Sequence, residues 1–161
     1  MTATVSIRVF TDTNAETQSD AVTGIDLIAE DNADNSPENR AANPVPVGEN
    51  SYEKYIKARV DVAPDNYVEN FQAWGPGSTQ ANTDLMYGLT ASAATPVRTG
   101  SVVATTNFNE ENSASKLVWH AGQLTAVGHT TQFLVFQLQV GETATQGNWT
   151  QQTINYSYDE A

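Results

Sequence analysis

The two histidines are the first residues to weigh for chemistry, because an imidazole can bind a metal ion or transfer a proton near neutral pH. His120 follows Trp119, and His129 follows Gly128. Neither histidine belongs to a His-x-x-x-His, His-Glu-x-x-His or Gly-x-Ser-x-Gly arrangement, the spacings that supply a second metal ligand or a nucleophile. We therefore interpret both as surface or loop residues and predict no catalytic residue in the chain.

The acidic run at residues 30–35, with Glu38 close behind, offers the hard oxygen ligands that calcium takes. It departs from the EF-hand pattern because, counted from Asp31, Ala33 falls where an oxygen ligand is required, and no glycine follows at the turn position. A solvated loop is the better interpretation. Other neighbouring carboxylates, such as Glu110 and Glu111, would point to opposite sides of a strand and do not form a glycosidase pair. We predict no metal site and no cofactor.

Composition narrows the function classes further. The 161 residues include no cysteine, which excludes disulfides, thiolate nucleophiles and cysteine-ligated metals. Seven Lys and Arg residues against 19 Asp and Glu give a net charge of -12. Nucleic acid and anionic membranes are disfavoured as partners, because both are bound mainly through Lys and Arg. The amino terminus lacks the basic start and apolar run of a signal peptide, so we expect a protein that is made in the cytoplasm.

The run at residues 132–140 is the best candidate for the central structural element. Its even-numbered residues from Leu134 to Val140 are all apolar, whereas its odd-numbered residues turn polar at Gln137. This period of two indicates a strand and argues against a helix, whose apolar residues would recur every three or four positions. We predict a central strand with one fully apolar face and a second face that is half covered.

Further short strands are predicted at residues 4–10, 22–29, 52–62, 67–74, 85–91, 100–106, 117–124 and 149–158. The segment at 52–62 also fits a helical stripe, and we choose strand. The turn signal at residues 63–66 then predicts a hairpin between the strands that flank it. Many short strands separated by turns predict one all-β domain over residues 1–161, an antiparallel β-sandwich of immunoglobulin-like or jelly-roll type.

Residues 30–50 interrupt this pattern with almost no apolar side chains. A loop of this length inside a compact domain is usually functional or mobile. Pro44 and Pro46 fix their own backbones and bias the preceding residues away from helix. We predict an extended loop or arm that suits contact with a neighbouring subunit.

Two further groups of residues are candidates for partner binding. Lys57 and Arg59 share one face of a predicted strand and would dock on an acidic patch. Cross-strand pairing of these residues with Glu69 is the equally weighted alternative.

The three tryptophans, Trp74, Trp119 and Trp149, would form a sugar-stacking platform if their rings were exposed. Buried tryptophans in a core or an interface are the more common case. Trp74 is retained as a candidate for contact with a partner.

Two stretches together resemble a segment that recurs in small structural proteins of tailed bacteriophages. Residues 51–62 contain an aromatic-Glu-Lys sequence, and residues 68–74 contain an Asn-aromatic-x-x-Trp sequence. Residues 133–140 and 153–160 resemble the closing hairpin that accompanies them. The resemblance implies a β-sandwich of the virion and supplies no catalytic residue.

The function that follows from this resemblance is a non-enzymatic capsid decoration protein that stabilises the phage head lattice. The expected partner is the major capsid protein or another virion protein, and copies are expected to form a homo-oligomer or a lattice array. One alternative is a tail or connector component of the same virion. The other is a carbohydrate-binding or adhesion module that uses the tryptophans.

Overall fold

The computed structural model of the chain describes residues 2–75, 80–145 and 151–161. The strands in these ranges are β1 (Thr4–Thr11), β2 (Thr17–Val22), β3 (Lys54–Val62), β4 (Val68–Trp74), β5 (Thr83–Thr90), β6 (Thr106–Asn107), β7 (Leu117–His120), β8 (Phe133–Val140) and β9 (Asn155–Glu160). A six-residue helix, α1 (Pro37–Ala42), lies between β2 and β3. No helix within the described ranges has the length and apolar character to cross a membrane.

The strands form two antiparallel sheets, which we call the large sheet and the small sheet. The large sheet has the order β2-β1-β3-β8-β5-β6, and the small sheet has the order β7-β4-β9. Apolar residues from both sheets meet in one core. The molecule is therefore the all-β, antiparallel sandwich that the sequence predicts.

The core between the sheets is built from the alternate residues that each strand turns inward. Leu134 and Phe136 of β8 come from the large sheet, and Phe71 of β4 and Trp119 of β7 come from the small sheet. Each of the four is at most 1% exposed. Burying an aliphatic or aromatic side chain of this size contributes about 1.5–3 kcal/mol, so the alternating pattern stabilises the sandwich directly.

Strand β8 is central, as its sequence predicts, because it pairs with β3 on one side and along its whole length with β5 on the other. The prediction of a half-covered second face is wrong at Gln137, which is 0% exposed. Its Nε2 donates to the carbonyl oxygens of Ser51, Val97 and Arg98 at 3.0, 3.1 and 3.1 Å. Backbone carbonyls replace water as partners of its amide N–H groups, whereas its Oε1 is buried without a hydrogen-bond partner among the described residues.

A segment at residues 97–104 supplies two of those carbonyls, from Val97 and Arg98, by lying across the outer face of the large sheet. Ala104 of this segment is buried in a second, smaller core with Tyr55 and Val135. The approach is close because β5 carries a glycine here: a Cβ on Gly88 would lie 1.8 Å from the carbonyl oxygen of Val103. The prediction of a strand at 100–106 is therefore wrong for all but the last residue of that range.

Strands β3 and β4 do not form the predicted hairpin. β3 pairs with β1 and β8 in the large sheet, whereas β4 pairs with β7 and β9 in the small sheet. Pro64 lies in the connection and has no N–H to donate to a tight turn. The chain crosses the sandwich at this point, so that Val60 and Phe71 meet across the core instead of lying side by side.

The second strand is also misplaced in the sequence prediction. The predicted range, 22–29, overlaps β2 only at Val22, and residues 23–29 have no strand structure. β2 is the polar run before them, and as an edge strand it pairs only with β1. Ile25 and Leu27 still pack against the core, which accounts for the apolar pattern that suggested a strand.

The predicted strands at 4–10, 52–62, 67–74 and 85–91 are confirmed with small changes in their bounds. The predicted strand at 117–124 is confirmed only for its first half, because β7 ends at His120. Strand β9 occupies the later part of the predicted range 149–158, of which residues 149 and 150 lie outside the described residues.

Residues 30–50, predicted as an extended loop or arm, fold back onto their own domain. Helix α1 begins after Ser36, whose hydroxyl oxygen accepts a hydrogen bond from the backbone N–H of Asn39 at 3.2 Å. Val45 then packs in a small apolar cluster with Val140 of β8. The segment is thus a short helix and an anchored loop rather than a free arm.

Candidate functional site

Lys57 and Arg59 lie on the outer face of the large sheet, as the sequence predicts, and Arg8 of β1 joins them. Arg8 is directly opposite Lys57 in the register of β1 and β3. We call these three residues the basic face. They are three of the seven basic residues in a chain of net charge -12, so positive charge is concentrated on this part of the sheet.

Asp61 forms ion pairs with the two arginines of the basic face. Its Oδ1 accepts hydrogen bonds from Nη2 of Arg8 at 3.0 Å and from Nη1 of Arg59 at 3.1 Å. A hydrogen bond with Ser6, together with the two guanidinium groups, lowers the pKa of Asp61. Asp20 lies 3.9 Å from Arg8, so two carboxylates balance two guanidinium groups.

The alternative prediction, in which Lys57 or Arg59 pairs with Glu69, is wrong. Glu69 belongs to β4 of the small sheet, and its Oε2 accepts a hydrogen bond from Nε2 of Gln123 at 3.1 Å. The prediction failed because it assumed the hairpin between β3 and β4.

Lys57 is the unbalanced cation of the basic face. Its Nζ lies 4.1 Å from the ring centroid of Phe133 and 5.9 Å from that of Phe10. No described residue accepts a hydrogen bond from this ammonium group or forms an ion pair with it. Partial burial lowers the pKa of Lys57, and no carboxylate acts in the opposite direction. The ammonium therefore lies above the rings of Phe133 and Phe10, which we call the aromatic floor, without a carboxylate paired to it among the described residues.

The histidines occupy different environments. His120 lies half-buried in β7, where its Nδ1 accepts a hydrogen bond from the backbone N–H of Gln132 at 3.4 Å. Burial, and secondarily the charge of Lys57, lowers the pKa of His120. His129 is exposed in a loop. The interpretation as surface or loop residues is thus confirmed for His129 and wrong for His120.

The acidic run at 30–35 encloses a cation that belongs to the chain itself. Lys54 is 2% exposed, and its Nζ donates to the carbonyl oxygens of Glu30 at 3.0 Å and Asn32 at 2.5 Å. Burial raises the pKa of Asp31 and lowers that of Lys54. The run is therefore not simply a solvated loop. Within the described ranges, no group of three or more His, Asp or Glu residues is placed to hold a metal ion.

Pro44 and Pro46 are both exposed on either side of Val45. Val45 packs with Val140, near the carboxyl end of β8, whereas Lys57 lies over Phe133 at the amino end of the same strand. The structure does not bring these prolines together with the basic face.

The predicted tryptophan platform does not form from its two described members. Trp74 is partly exposed on the outer face of the small sheet, with the ammonium of Lys116 lying 4.3 Å from its ring centroid. Trp119 is 1% exposed, and its Nε1 donates to the carbonyl oxygen of Gln132 at 3.0 Å. Trp149 lies outside the described residues.

A cleft of about 1170 Å³ between the two sheets was not anticipated from the sequence. Its walls include inward apolar residues such as Ile7, Leu85 and Ile154. Asp26 and Arg40 are the charged residues among its described walls, and they form an ion pair at 3.0 Å. The unequal strand numbers of the two sheets explain the cleft, because three strands cannot cover the inner face of six. No sequence pattern revealed which strands belong to which sheet.

Comparisons of the chain with protein-family models, with curated proteins and with solved structures find no match.

Proposed function

We propose that the chain is a non-enzymatic structural protein of a tailed-phage virion, assembled in the host cytoplasm. In this proposal it decorates the capsid by binding the major capsid protein on the outer lattice of the head. The observation that carries the proposal is the basic face: an acidic chain concentrates cations on one side of a stiff sheet. Electrostatic complementarity of this kind sets the orientation and specificity of protein association.

The architecture suits such a binding role. The large sheet is partly buried on its inner face by the small sheet and covered on part of its outer face by residues 97–104. Side chains that project from a doubly supported sheet are held more firmly than side chains on a loop, which reduces the entropy lost on binding. The resemblance of residues 51–62 and 68–74 to small phage structural proteins supports the same role through sequence pattern alone, because β3 does not pair with β4 and β8 does not form a hairpin with β9.

A decoration protein would stabilise assembled shells because it binds the lattice and not the free subunits. At a free concentration 100 times its Kd, each occupied site contributes about 2.7 kcal/mol to the assembled state. Copies would follow the symmetry of the lattice as a homo-oligomer or an array.

Co-purification with intact particles tests the proposal. Virions should carry the chain in a fixed ratio to the major capsid subunit, and particles that lack it should lose their shells at lower temperature. A few copies per particle, with cryo-EM density at the tail or connector, would replace the decoration role by the alternative virion role. Absence of the chain from purified particles would overturn both.

A carbohydrate-binding or adhesion module is the second candidate, favoured by the partly exposed ring of Trp74 on the small sheet. Gln72 lies two residues away on the same face and offers an amide for sugar hydroxyl groups. Glycan-array binding that is lost in Trp74→Ala would favour this candidate. Trp119→Ala is unsuitable for the test, because Trp119 is a core residue whose loss would destabilise the whole sandwich.

A further inference from the structure

The Lys57 ammonium differs from the other basic groups on its face in having no anion. Arg8 and Arg59 share Asp61, and Arg8 also approaches Asp20. Lys57 instead lies over Phe133 and beside Phe10, and no residue in the described part of the chain forms an ion pair or a hydrogen bond with its ammonium group. A partly desolvated cation without a counter-charge is costly, and a carboxylate brought to it by a partner would remove that cost.

The aromatic floor beside Lys57 favours a ligand that carries an apolar group as well as a carboxylate. Phe133 is 5% exposed and is packed edge-to-face against Phe10, with ring centroids 5.2 Å apart. Phe10 itself is only partly buried. A ligand that brings a carboxylate to Lys57 would gain further by covering the ring of Phe10 with an apolar side chain.

Three other classes of partner fit this surface less well. Nucleic acid and anionic membranes are bound by several unpaired cations acting together, and the basic face offers only one. A second copy of this chain carries the same net charge of -12, so approach of two copies is opposed by their mutual repulsion. An acidic segment of a different protein needs only one unpaired cation, and a short segment carries less negative charge into the contact than a second whole chain does.

We propose that Lys57 is the anchor of the docking surface, and that it receives a Glu or Asp carboxylate from an acidic-apolar segment of another virion protein. This inference rests on the proposed function and names the chemistry of its partner. The carboxylate lies beside the ammonium of Lys57, and an adjacent apolar side chain covers Phe10. Arg8 and Arg59 stay engaged by Asp61 and form no new ion pair with the segment.

The first experiment measures binding of the folded chain to a short synthetic peptide of alternating Glu and Leu, with a Gln-Leu peptide as reference. The Glu-Leu peptide should bind and the Gln-Leu peptide should not. Lys57→Met should weaken binding by about tenfold, equivalent to about 1.4 kcal/mol. Salt at about 0.5 M should weaken wild-type binding similarly, because it shortens the Debye length. The salt measurement needs no variant and holds even if Lys57→Met fails to fold.

Lys116→Met is the matched control. It removes the same charge from the chain, but from an ammonium over Trp74 on the small sheet. It should leave peptide binding unchanged. Equal weakening by both variants, or equal binding of both peptides, would overturn the proposal. So would stronger binding to single-stranded DNA, to anionic vesicles or to a second copy of the chain than to the Glu-Leu peptide.

Repeating the comparison with purified particles separates this inference from the proposed function. Particle binding that is weakened by Lys57→Met and not by Lys116→Met supports both. If neither variant changes particle binding, the virion role is still supported but the role of Lys57 as the anchor is contradicted. If the Glu-Leu peptide binds specifically but the chain does not associate with particles, the role of Lys57 in binding a carboxylate is supported and the virion role is contradicted.

Discussion

The Nζ of Lys54 lies 2.5 Å from the carbonyl oxygen of Asn32, inside the acidic run that has the composition of a calcium loop. The carbonyl oxygen of Glu30 completes the contact at 3.0 Å. Hard oxygen ligands thus surround a cation that strand β3 supplies from within the chain. Lys54 ties the loop at residues 30–35 to the sandwich, and Asp31 adds a second contact, because its Oδ2 accepts a hydrogen bond from the backbone N–H of Asp12 at 2.8 Å. Asp31 also lies near Lys54.

Lys54→Met should therefore destabilise the domain by about 1–3 kcal/mol, because two carbonyl groups lose their charged donor and Asp31 loses its nearest opposite charge. The free energy of unfolding in urea measures the effect. Hydrogen exchange should also rise locally at residues 30–43. The exposed Lys116→Met is the control, and equal stability of the two variants would contradict a role for Lys54 in holding the loop.

Gly88→Ala should destabilise the domain by a mechanism confined to the outer face of the large sheet. The added Cβ would lie 1.8 Å from the carbonyl oxygen of Val103. Because this oxygen belongs to the backbone, the clash can be relieved only if the backbone moves. Overpacking of this kind costs about 1–3 kcal/mol.

Gly24→Ala is a suitable comparison, because its Cβ would meet only Nδ2 of Asn35, at an ordinary 3.7 Å. Urea unfolding of both variants measures the difference. A fully stable Gly88→Ala would mean that residues 97–104 do not lie on the sheet in solution.

Sequence reasoning identified the strands well and their partners poorly. The alternation of Leu134 and Phe136 with residues of the opposite face was enough to place β8 at the centre, because period-two burial is a local property. Sheet membership is not local: β3 and β4 have similar patterns, yet they lie in different sheets. Two buried polar residues, Lys54 and Gln137, were also missed, because their carbonyl partners lie far away in sequence.

The residues of the candidate site likewise fall into those that the sequence alone could predict and those that depend on which strands pair. Lys57 and Arg59 were found because a strand places alternate residues on one face. Asp61 follows Arg59 by two residues in β3, so the same alternation places it on that face. Arg8 joins them through the pairing of β1 with β3, which no sequence pattern indicated. The aromatic floor under Lys57 likewise requires β8 to lie beside β3, which only the sheet order reveals.

His120 should make stability depend on pH in a defined direction. Its pKa in the folded chain lies below the ordinary 6.5, so the unfolded chain takes up the proton first as pH falls. Stability contributed by neutral His120 is therefore complete above pH 6.5 and is lost as pH falls toward the folded pKa.

His120→Gln should flatten the decline of unfolding free energy over the acid side of this window. Urea unfolding at a series of pH values measures the slope, and His129→Gln, which removes an exposed imidazole, is the matched control. A slope in His120→Gln equal to that of the wild type would contradict the assignment.

Replacing each of the two described tryptophans with alanine should change the stability of the domain by very different amounts. Trp119→Ala removes a fully buried ring and its hydrogen bond to the carbonyl oxygen of Gln132, so it should cost about 3–5 kcal/mol. Trp74→Ala removes a partly exposed ring whose contact is the ammonium of Lys116, and it should cost well under half as much. Chemical unfolding followed by circular dichroism measures both without relying on tryptophan fluorescence. Similar losses for the two variants would mean that Trp74 also belongs to the core, and that the outer face of the small sheet is not open to a ligand.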